Sequence, residues 1–110
     1  MNQPEGFTID RPDVQSARFT GVLRLTSPSD YEPFFEPLRE AVDQTPRFTV
    51  DLTGVRFMNS SGITSLSRLV LRARAQGKPI TLIGADGVSW QTKTLTLLCR
   101  LYDKLEVRFA

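Results

Sequence analysis

The sequence predicts an α/β fold in which a mixed, largely parallel sheet of four to five strands carries three to four helices, mainly on one face. Short apolar segments typical of strands alternate with longer segments whose apolar residues recur every three or four positions, as in helices. The resulting order, β β α β α β α β, contains strand–helix–strand units that favour parallel pairing. Because each predicted helix has a single apolar stripe, the helices can cover one side of the sheet.

Two strands are predicted at the start of the chain, over residues 7–10 and 18–26, and these can pair antiparallel. Within the second strand, Gly21 suggests a bulge or a close approach of two backbones, because an internal glycine brings no side chain to pack. This opening pair is what makes the predicted sheet mixed.

The first helix is predicted to follow the turn at residues 27–30. Ser29 and Glu32 fit a capping box, in which each side chain accepts a hydrogen bond from the backbone N–H of the other residue. Pro37 removes a backbone hydrogen bond and is expected to kink the chain, so regular helix is predicted only from about Phe34.

A third strand is predicted over residues 47–52. The loop after it is predicted to pack in the core through three apolar residues, Val55, Phe57 and Met58. The clearest helix of the sequence spans residues 60–76, and Gly77 can end it in a left-handed conformation.

The last three elements are predicted as a strand at residues 79–84, a helix at 88–102 and a strand at 105–109. Alternating threonines within residues 92–96 would also suit a strand. The segment is long and another strand follows it directly, which favours a helix. Trp90, near the start of this helix, is predicted to lie in the core, and a position in a binding interface is the alternative.

At 110 residues, 40% of them hydrophobic, the chain is expected to form one domain over residues 1–110, with residues 1–5 as a flexible N-terminal tail. The 14 basic and 12 acidic residues argue against a dedicated nucleic-acid binder. No apolar run is long enough for a membrane span, and the N-terminus lacks the features of a secretory signal, so a cytoplasmic location is predicted. Cys99, the one cysteine, lies in an apolar run and is predicted to be buried.

The sequence contains no histidine, which removes Ser-His-Asp and Cys-His catalysis and most zinc sites. None of the common glycine-rich phosphate-binding motifs occurs either. Carboxylates alone could support catalysis, but no two acidic residues stand at a suggestive spacing. We therefore expect a protein that binds partners and is not an enzyme, with no cofactor and no metal.

Residues 49–63 are the most informative part of the chain, because they form the pattern of a buried strand, a loop and two serines at the start of a helix. Asn59 is among the best N-cap residues. Ser60 and Ser61 follow in the first turn, where unpaired N–H groups and the helix dipole would favour an added phosphate. Serine is also common at helix starts without any further role. Gly62 has no side chain, so a partner could approach closely.

Ser60, Thr64 and Arg68 are predicted to lie along one row of the second helix, away from its apolar stripe. Such a row fits either a solvated polar face or the rim of a partner-binding surface. In the second case, Arg68 and Arg72 are expected to lie near any phosphate added to the first turn.

The run from residue 50 to residue 63 resembles the signature of STAS domains, and specifically that of bacterial anti-sigma factor antagonists. The family pattern is an apolar strand, Asp-Leu-Ser/Thr-x-Val-x-Phe-Met/Ile, and then Asp-Ser-Ser/Thr-Gly-Leu/Ile. The matching residues here are Asp51-Leu52-Thr53, Val55, Phe57-Met58 and Ser60-Ser61-Gly62-Ile63. The resemblance implies the STAS fold over nearly the whole chain.

In this family, a histidine-kinase-like anti-sigma serine kinase phosphorylates the first serine after the acidic residue, and a metal-dependent serine phosphatase removes the phosphate. The unphosphorylated form binds the kinase, and a sigma factor is released. The resemblance therefore implies a phosphorylation-switched transcription regulator, a monomer or weak dimer, with Ser60 as acceptor and Ser61 or Thr64 as alternatives. The residues predicted to bind the partner are Asn59, Ser60, Ser61, Gly62, Thr64, Arg68, Ser27 and Ser29.

Two positions depart from the family pattern. Asn59 replaces the acidic residue, so the cap is kept but the negative charge is lost, which could either weaken recognition by the kinase or ease a phosphate onto Ser60. The segment at residues 26–29 replaces the family's Gly-x-Leu-Asp turn and indicates a divergent member with a different partner. STAS domains also occur in transporter tails, lipid-transport complexes and stress-sensing assemblies. The alternative is therefore a non-phosphorylated scaffold or regulatory subunit of a larger signalling or transport assembly.

Overall fold

In the computed structural model, which describes residues 6–110, five strands form one sheet in the order in which they occur in the sequence. The predicted tail, residues 1–5, lies outside the described residues. The elements in chain order are β1 (Phe7–Asp10), β2 (Ser16–Leu23), α1 (Pro28–Gln44), β3 (Phe48–Met58), α2 (Ser60–Ala75), β4 (Ile80–Gly84), α3 (Ser89–Leu98), a 3₁₀ turn (Cys99–Leu101) and β5 (Leu105–Phe109).

The pairing of the strands confirms the predicted α/β class and the order of its elements. β1 pairs antiparallel with β2, and the other three neighbouring pairs are parallel. Along residues 48–52 of β3 and along β4, alternate residues are buried while those between them are half-exposed, so one face of the sheet forms the core. All three helices contribute to this single core, for example through Phe35 from α1, Leu69 from α2 and Leu95 from α3. The helices therefore cover one face.

β3 is longer than predicted, because the chain does not leave the sheet after residue 52. The predicted loop is strand as far as Met58, and it stays paired with β2 up to the contact between Leu23 and Met58. Two register shifts give β3 more residues than β2 over the paired stretch, so Gly54 is accommodated within the strand and does not turn the chain.

The extended β3 also changes the environment of the predicted core residues. Val55 and Met58 are buried as predicted, but Phe57 is 40% exposed, and the Arg24 guanidinium lies 5.0 Å from the centre of its ring. Neighbouring residues of a strand point to opposite faces, so a buried Met58 directs Phe57 away from the core. The prediction for Phe57 was wrong for this reason.

The bulge and the close approach of two backbones that were predicted at Gly21 are both confirmed. One register shift between β2 and β3 falls at this residue, and its φ angle is +102°. A Cβ atom at this position would lie 2.3 Å from the Gly6 carbonyl oxygen, so the backbones approach too closely for any side chain.

α1 begins earlier and is more regular than predicted. Its N-cap is Ser27, whose side chain makes no capping bond, so the capping box assigned to Ser29 and Glu32 was wrong. Pro28 occupies a first-turn position, where a fixed φ angle favours helix. The helix continues through Pro33 and Pro37. Both prolines are exposed, so water can reach the carbonyl groups that lose an N–H partner, while the buried face holds the helix against the core.

α1 and α2 are joined at their C-terminal ends by a polar cluster around Asp43. Arg72 donates from Nε to one Asp43 carboxylate oxygen over 2.8 Å and from Nη2 to the other, and Gln76 donates to the same carboxylate. Lys78 donates from Nζ to the carbonyl oxygens of Val42 (2.8 Å) and Asp43 (2.7 Å), which lie in the last turn of α1. A cation is favourable at that end of a helix dipole.

α2 ends as predicted. Gly77 has a φ angle of +67°, its N–H donates to the Arg74 carbonyl oxygen over 3.1 Å, and the Lys78 N–H donates to the Ala73 carbonyl oxygen over 3.0 Å. This pair of bonds forms the glycine-ended helix terminus known as the Schellman motif.

α3 confirms the predicted third helix, which the 3₁₀ turn extends. Trp90 packs against the core but stays partly exposed, so the prediction of a core position holds in part. Cys99 is exposed, so the prediction that it is buried was wrong. It is the first residue of the 3₁₀ turn, and the neighbouring Leu98 is the residue that packs in the core. Within residues 6–110, no helix combines the length and the apolar character that crossing a membrane requires.

Candidate partner-binding site at the start of helix α2

Asn59 caps α2, as its residue type predicts. Its Oδ1 atom accepts a hydrogen bond of 3.0 Å from the Gly62 N–H, and its carbonyl oxygen accepts one of 3.0 Å from the Ile63 N–H. The Asn59 N–H itself donates to the Leu23 carbonyl oxygen over 3.0 Å, which continues the pairing between β2 and β3. The helix start is therefore tied directly to the end of the sheet.

The Asn59 amide also holds the turn between β2 and α1. Its Nδ2 atom donates to the Leu25 carbonyl oxygen over 2.8 Å. The Tyr31 hydroxyl accepts a bond of 3.1 Å from the Leu25 N–H and donates one of 2.9 Å to Asn59 Oδ1. Three residues thus form a closed set of hydrogen bonds, which we call the Asn59 latch. A carboxylate at position 59 could not donate to Leu25.

Burial keeps the Tyr31 hydroxyl in its donor form. Burial raises the pKa of Tyr31 above its usual value, although the hydrogen bond from the Leu25 backbone acts in the opposite direction. The side chain is completely inaccessible to solvent. A neutral hydroxyl can donate to Asn59 and accept from Leu25 at the same time, which a phenolate could not.

The candidate hydroxyls differ in how they are engaged. Ser60 is exposed, and within residues 6–110 its hydroxyl makes no hydrogen bond. Ser61 is half-buried, and its hydroxyl donates to the Thr26 carbonyl oxygen over 3.2 Å. Thr64 is exposed one turn further along the same helix. Ser60 is therefore the first-turn hydroxyl that is both accessible and uncommitted.

Gly62 is buried, and internal packing explains the absence of a side chain at this position. Its predicted part in partner binding stays a prediction. A Cβ atom there would lie 2.7 Å from Met58 Cγ and 3.2 Å from the Tyr31 hydroxyl oxygen. The tyrosine of the latch occupies the space that a larger residue would need.

The other predicted surface residues are distributed around the latch. The bond from Ser61 to Thr26 brings the turn that leads to Ser27 and Ser29 against the first turn of α2. Arg68 is on the exposed side of α2, with its Nη1 atom 4.0 Å from a Glu32 carboxylate oxygen, a surface ion pair of little energetic weight.

Arg72 does not lie near the first turn. It is 12 residues beyond Ser60 in the sequence, about 18 Å along a helix that rises 1.5 Å per residue, and Asp43 holds its guanidinium. The prediction that Arg72 lies near an added phosphate was therefore wrong.

Tyr31 and Leu25 are the residues of the site that the sequence did not reveal. Tyr31 falls on the apolar stripe of α1, which indicates burial but gives no partner for its hydroxyl. Residues 6–110 contain no group of three or more acidic, cysteine or histidine side chains arranged to hold a metal. The described arrangement is one of hydrogen bonds and exposed polar groups, which suits recognition of a protein surface.

Comparisons with known proteins identify the family of this chain. A family model described as "Mlab, STAS domain" matches residues 13–104. A solved structure, an anti-sigma factor antagonist from Mycobacterium paratuberculosis, superposes with a TM-score of 0.69 and 17% sequence identity, covering 96% of this chain and 90% of that one. No match among curated proteins was found. At this identity the structural likeness shows a shared fold, and the family match spans most of the sequence. The chain belongs to the STAS-domain family.

Proposed function

We propose that this protein is a cytoplasmic regulatory module of the anti-sigma factor antagonist type, which binds a histidine-kinase-like anti-sigma serine kinase and is switched by phosphorylation of Ser60. The observation that carries the proposal is the Ser60 hydroxyl, which is exposed at the start of α2 and makes no hydrogen bond within residues 6–110. A metal-dependent serine phosphatase would reverse the modification.

Ser60 is preferred over the alternative acceptors because its hydroxyl is unengaged and lies nearest to the positive end of the helix dipole. The Ser61 hydroxyl would have to leave the Thr26 carbonyl oxygen before it could react. Thr64 is exposed but stands a turn away from the N–H groups at the helix start, whose positive field falls off within the first turn. A phosphate on Ser60 would gain most from that field.

The proposed binding surface has a rigid base. It consists of the exposed residues Ser60, Thr64 and Arg68 on α2, together with the half-buried Ser27 and the exposed Ser29 at the start of α1. The Asn59 latch holds these two helix starts together, so little conformational entropy remains to be lost on binding. A phosphate in the centre of such a surface would add nearly two negative charges, and burying them without a matching cation would cost several kcal/mol.

Calorimetry with the cognate kinase tests the switch. We expect Ser60→Asp and Ser60→Glu to weaken binding at least ~10-fold, which corresponds to ~1.4 kcal/mol. Ser60→Ala is expected to keep the affinity of the parent protein. Ser67→Asp on the same helix serves as a control for added charge. Equal affinity across the three Ser60 variants would contradict the proposal.

A second candidate function is a scaffold or regulatory subunit that is never phosphorylated. It is favoured by Asn59, whose amide atoms are all engaged inside the protein and which lacks the charge of the family's acidic residue. Intact-mass measurement of protein purified from its native cell separates the two candidates. A phosphate present under some growth condition supports the switch, and its absence under all of them supports the scaffold.

A further inference from the structure

The second half of β3 has a neighbouring strand on one side only. β4 pairs with β3 only as far as the contact between Asp51 and Ile83, whereas β2 continues to pair up to Met58. The stretch at residues 52–58 therefore has a strand on one side only. Buried backbone carbonyl groups on the other side need hydrogen-bond donors from elsewhere in the fold.

Gln91 of α3 supplies those donors. Its side chain is completely buried, and its Nε2 atom donates to the carbonyl oxygens of Leu52 (2.8 Å) and Val55 (2.9 Å). Its Oε1 atom accepts a bond of 2.7 Å from the Ala85 N–H, in the loop after β4. Trp90 adds a second bond to Val55, of 3.3 Å, from its indole N–H. One amide thus takes the place of the missing strand.

The surroundings of Gln91 leave its side chain little freedom. A Cβ atom on Gly84 would lie 2.7 Å from Gln91 Oε1 and 2.9 Å from a methyl group of Leu95. Glycine at the end of β4 is therefore required for the amide to reach Ala85 on one side and β3 on the other. Hydrogen bonds hold both the oxygen and the nitrogen of the Gln91 amide.

We propose that Gln91 is a positioning residue for the switch, which holds the end of β3 and thereby sets the place of Asn59 and Ser60. β3 leads without a gap into the N-cap of α2, and from Val55 onward the anchors on its open side are Gln91 and Trp90 within the described residues. The Gln91 side chain thereby connects the loop at residues 85–88 to the strand that leads to the serine. The effect on switching rests on the function proposed above, but the effect on the local structure does not.

Two variants of Gln91 test the proposal, with hydrogen exchange in the full-length protein as the first readout. Gln91→Glu keeps the shape and the acceptor for Ala85, but an ionised carboxylate donates no hydrogen bond, and a protonated carboxyl group, which burial favours, donates at most one of the two. Gln91→Leu loses all three bonds. We expect the amides of Asn59 and Gly62, which bond to Leu23 and to Asn59, to exchange on the order of tenfold faster in both variants. Unchanged exchange at these two amides would overturn the proposal.

A matched control separates positioning from loss of stability. Leu98→Ala removes a buried side chain from the same helix, about two turns away from Gln91, without touching the β3 carbonyl groups. At a temperature where all variants are folded, its Asn59 and Gly62 amides should exchange as in the parent protein. If they exchange as fast as in the Gln91 variants, the effect is general and the positioning role is wrong.

Kinase affinity is the second readout, measured beside the Ser60 series. Gln91→Glu is expected to weaken binding several-fold, whereas Leu98→Ala is not. If Ser60→Asp weakens binding and Gln91→Glu leaves it unchanged, the positioning role is wrong. If no Ser60 variant changes the kinase affinity, the proposed switch is wrong. The positioning role of Gln91 is then tested by hydrogen exchange alone.

Discussion

The Tyr31 hydroxyl donates a hydrogen bond of 2.9 Å to Asn59 Oδ1 across 28 residues of sequence. The same hydroxyl accepts from the Leu25 N–H, and the same asparagine donates to the Leu25 carbonyl oxygen. One tyrosine therefore links the start of α2, the turn before α1 and α1 itself. The residue that replaces the family's acidic residue is also the one that completes this link.

Removing the Tyr31 hydroxyl should destabilise the protein. We expect Tyr31→Phe to lower the free energy of unfolding by roughly 1–3 kcal/mol, because the half-buried Leu25 N–H loses its acceptor and Asn59 loses a donor. Urea unfolding measures the change. Tyr102→Phe is the matched control, since the buried Tyr102 hydroxyl has no hydrogen-bond partner within the described residues. An equal loss in both variants would show that the latch adds nothing.

Gly62→Ala should also destabilise the protein, although alanine has a higher helix propensity than glycine. Alanine is better than glycine in a helix by ~1 kcal/mol. At position 62, however, its Cβ would lie 2.7 Å from Met58 Cγ, and we expect Gly62→Ala to destabilise the protein by about 1–3 kcal/mol. Thermal unfolding gives the sign. Gly87→Ala, where a Cβ would meet nothing within 4 Å, should leave the midpoint nearly unchanged.

Acid should weaken the link between α1 and α2. Hydrogen bonds from Arg72 and then Gln76 lower the pKa of Asp43 from its usual 3.8 to about 2. A carboxyl group whose pKa is lower in the folded state stabilises the protein above its unfolded pKa, and this contribution is lost as the pH falls towards about 2. Urea midpoints measured between pH 6 and pH 2 should therefore fall less steeply for Asp43→Asn than for the parent protein. Parallel curves would rule out a role for Asp43, and Glu36→Gln on the exposed face of α1 is the control.

Lys78 should stabilise the protein through its hydrogen bonds to two carbonyl groups and not through its charge alone. We expect Lys78→Met, which keeps most of the side-chain length, to lower the free energy of unfolding by roughly 1–2 kcal/mol, since two carbonyl groups at the end of α1 lose a charged donor. Lys78→Arg should recover part of the loss. Chemical denaturation of both variants, with the exposed Lys93→Met as control, provides the measurement.

Several features of the fold follow from local patterns and were predicted on that basis. The spacing of apolar residues identified the five strands and three helices. Asn59 was identified as a cap from its residue type, and Gly77 as the end of α2 from its freedom to adopt a positive φ angle. The motif between residues 50 and 63 pointed to the STAS family, which the family match confirms.

Three of the errors share a cause, because each concerned a segment or residue whose state depends on a distant neighbour. The loop predicted after residue 52 is strand because β2 continues alongside it. Phe57 is exposed because that strand sets the direction of its side chain, and α1 continues through Pro33 and Pro37 because its buried face is held by the core.

The amino-acid sequence by itself determined the class of fold, the order of the elements and the position of the candidate switch at the start of α2. Periodicity, capping and turn preferences act over a few residues, so they can be recognised without coordinates. Only the tertiary structure decided that Ser60 is the uncommitted hydroxyl of the first turn, that Tyr31 completes the latch and that Gln91 replaces a strand. Each of these depends on which polar atoms meet across the fold, and that is set by packing between segments far apart in the chain.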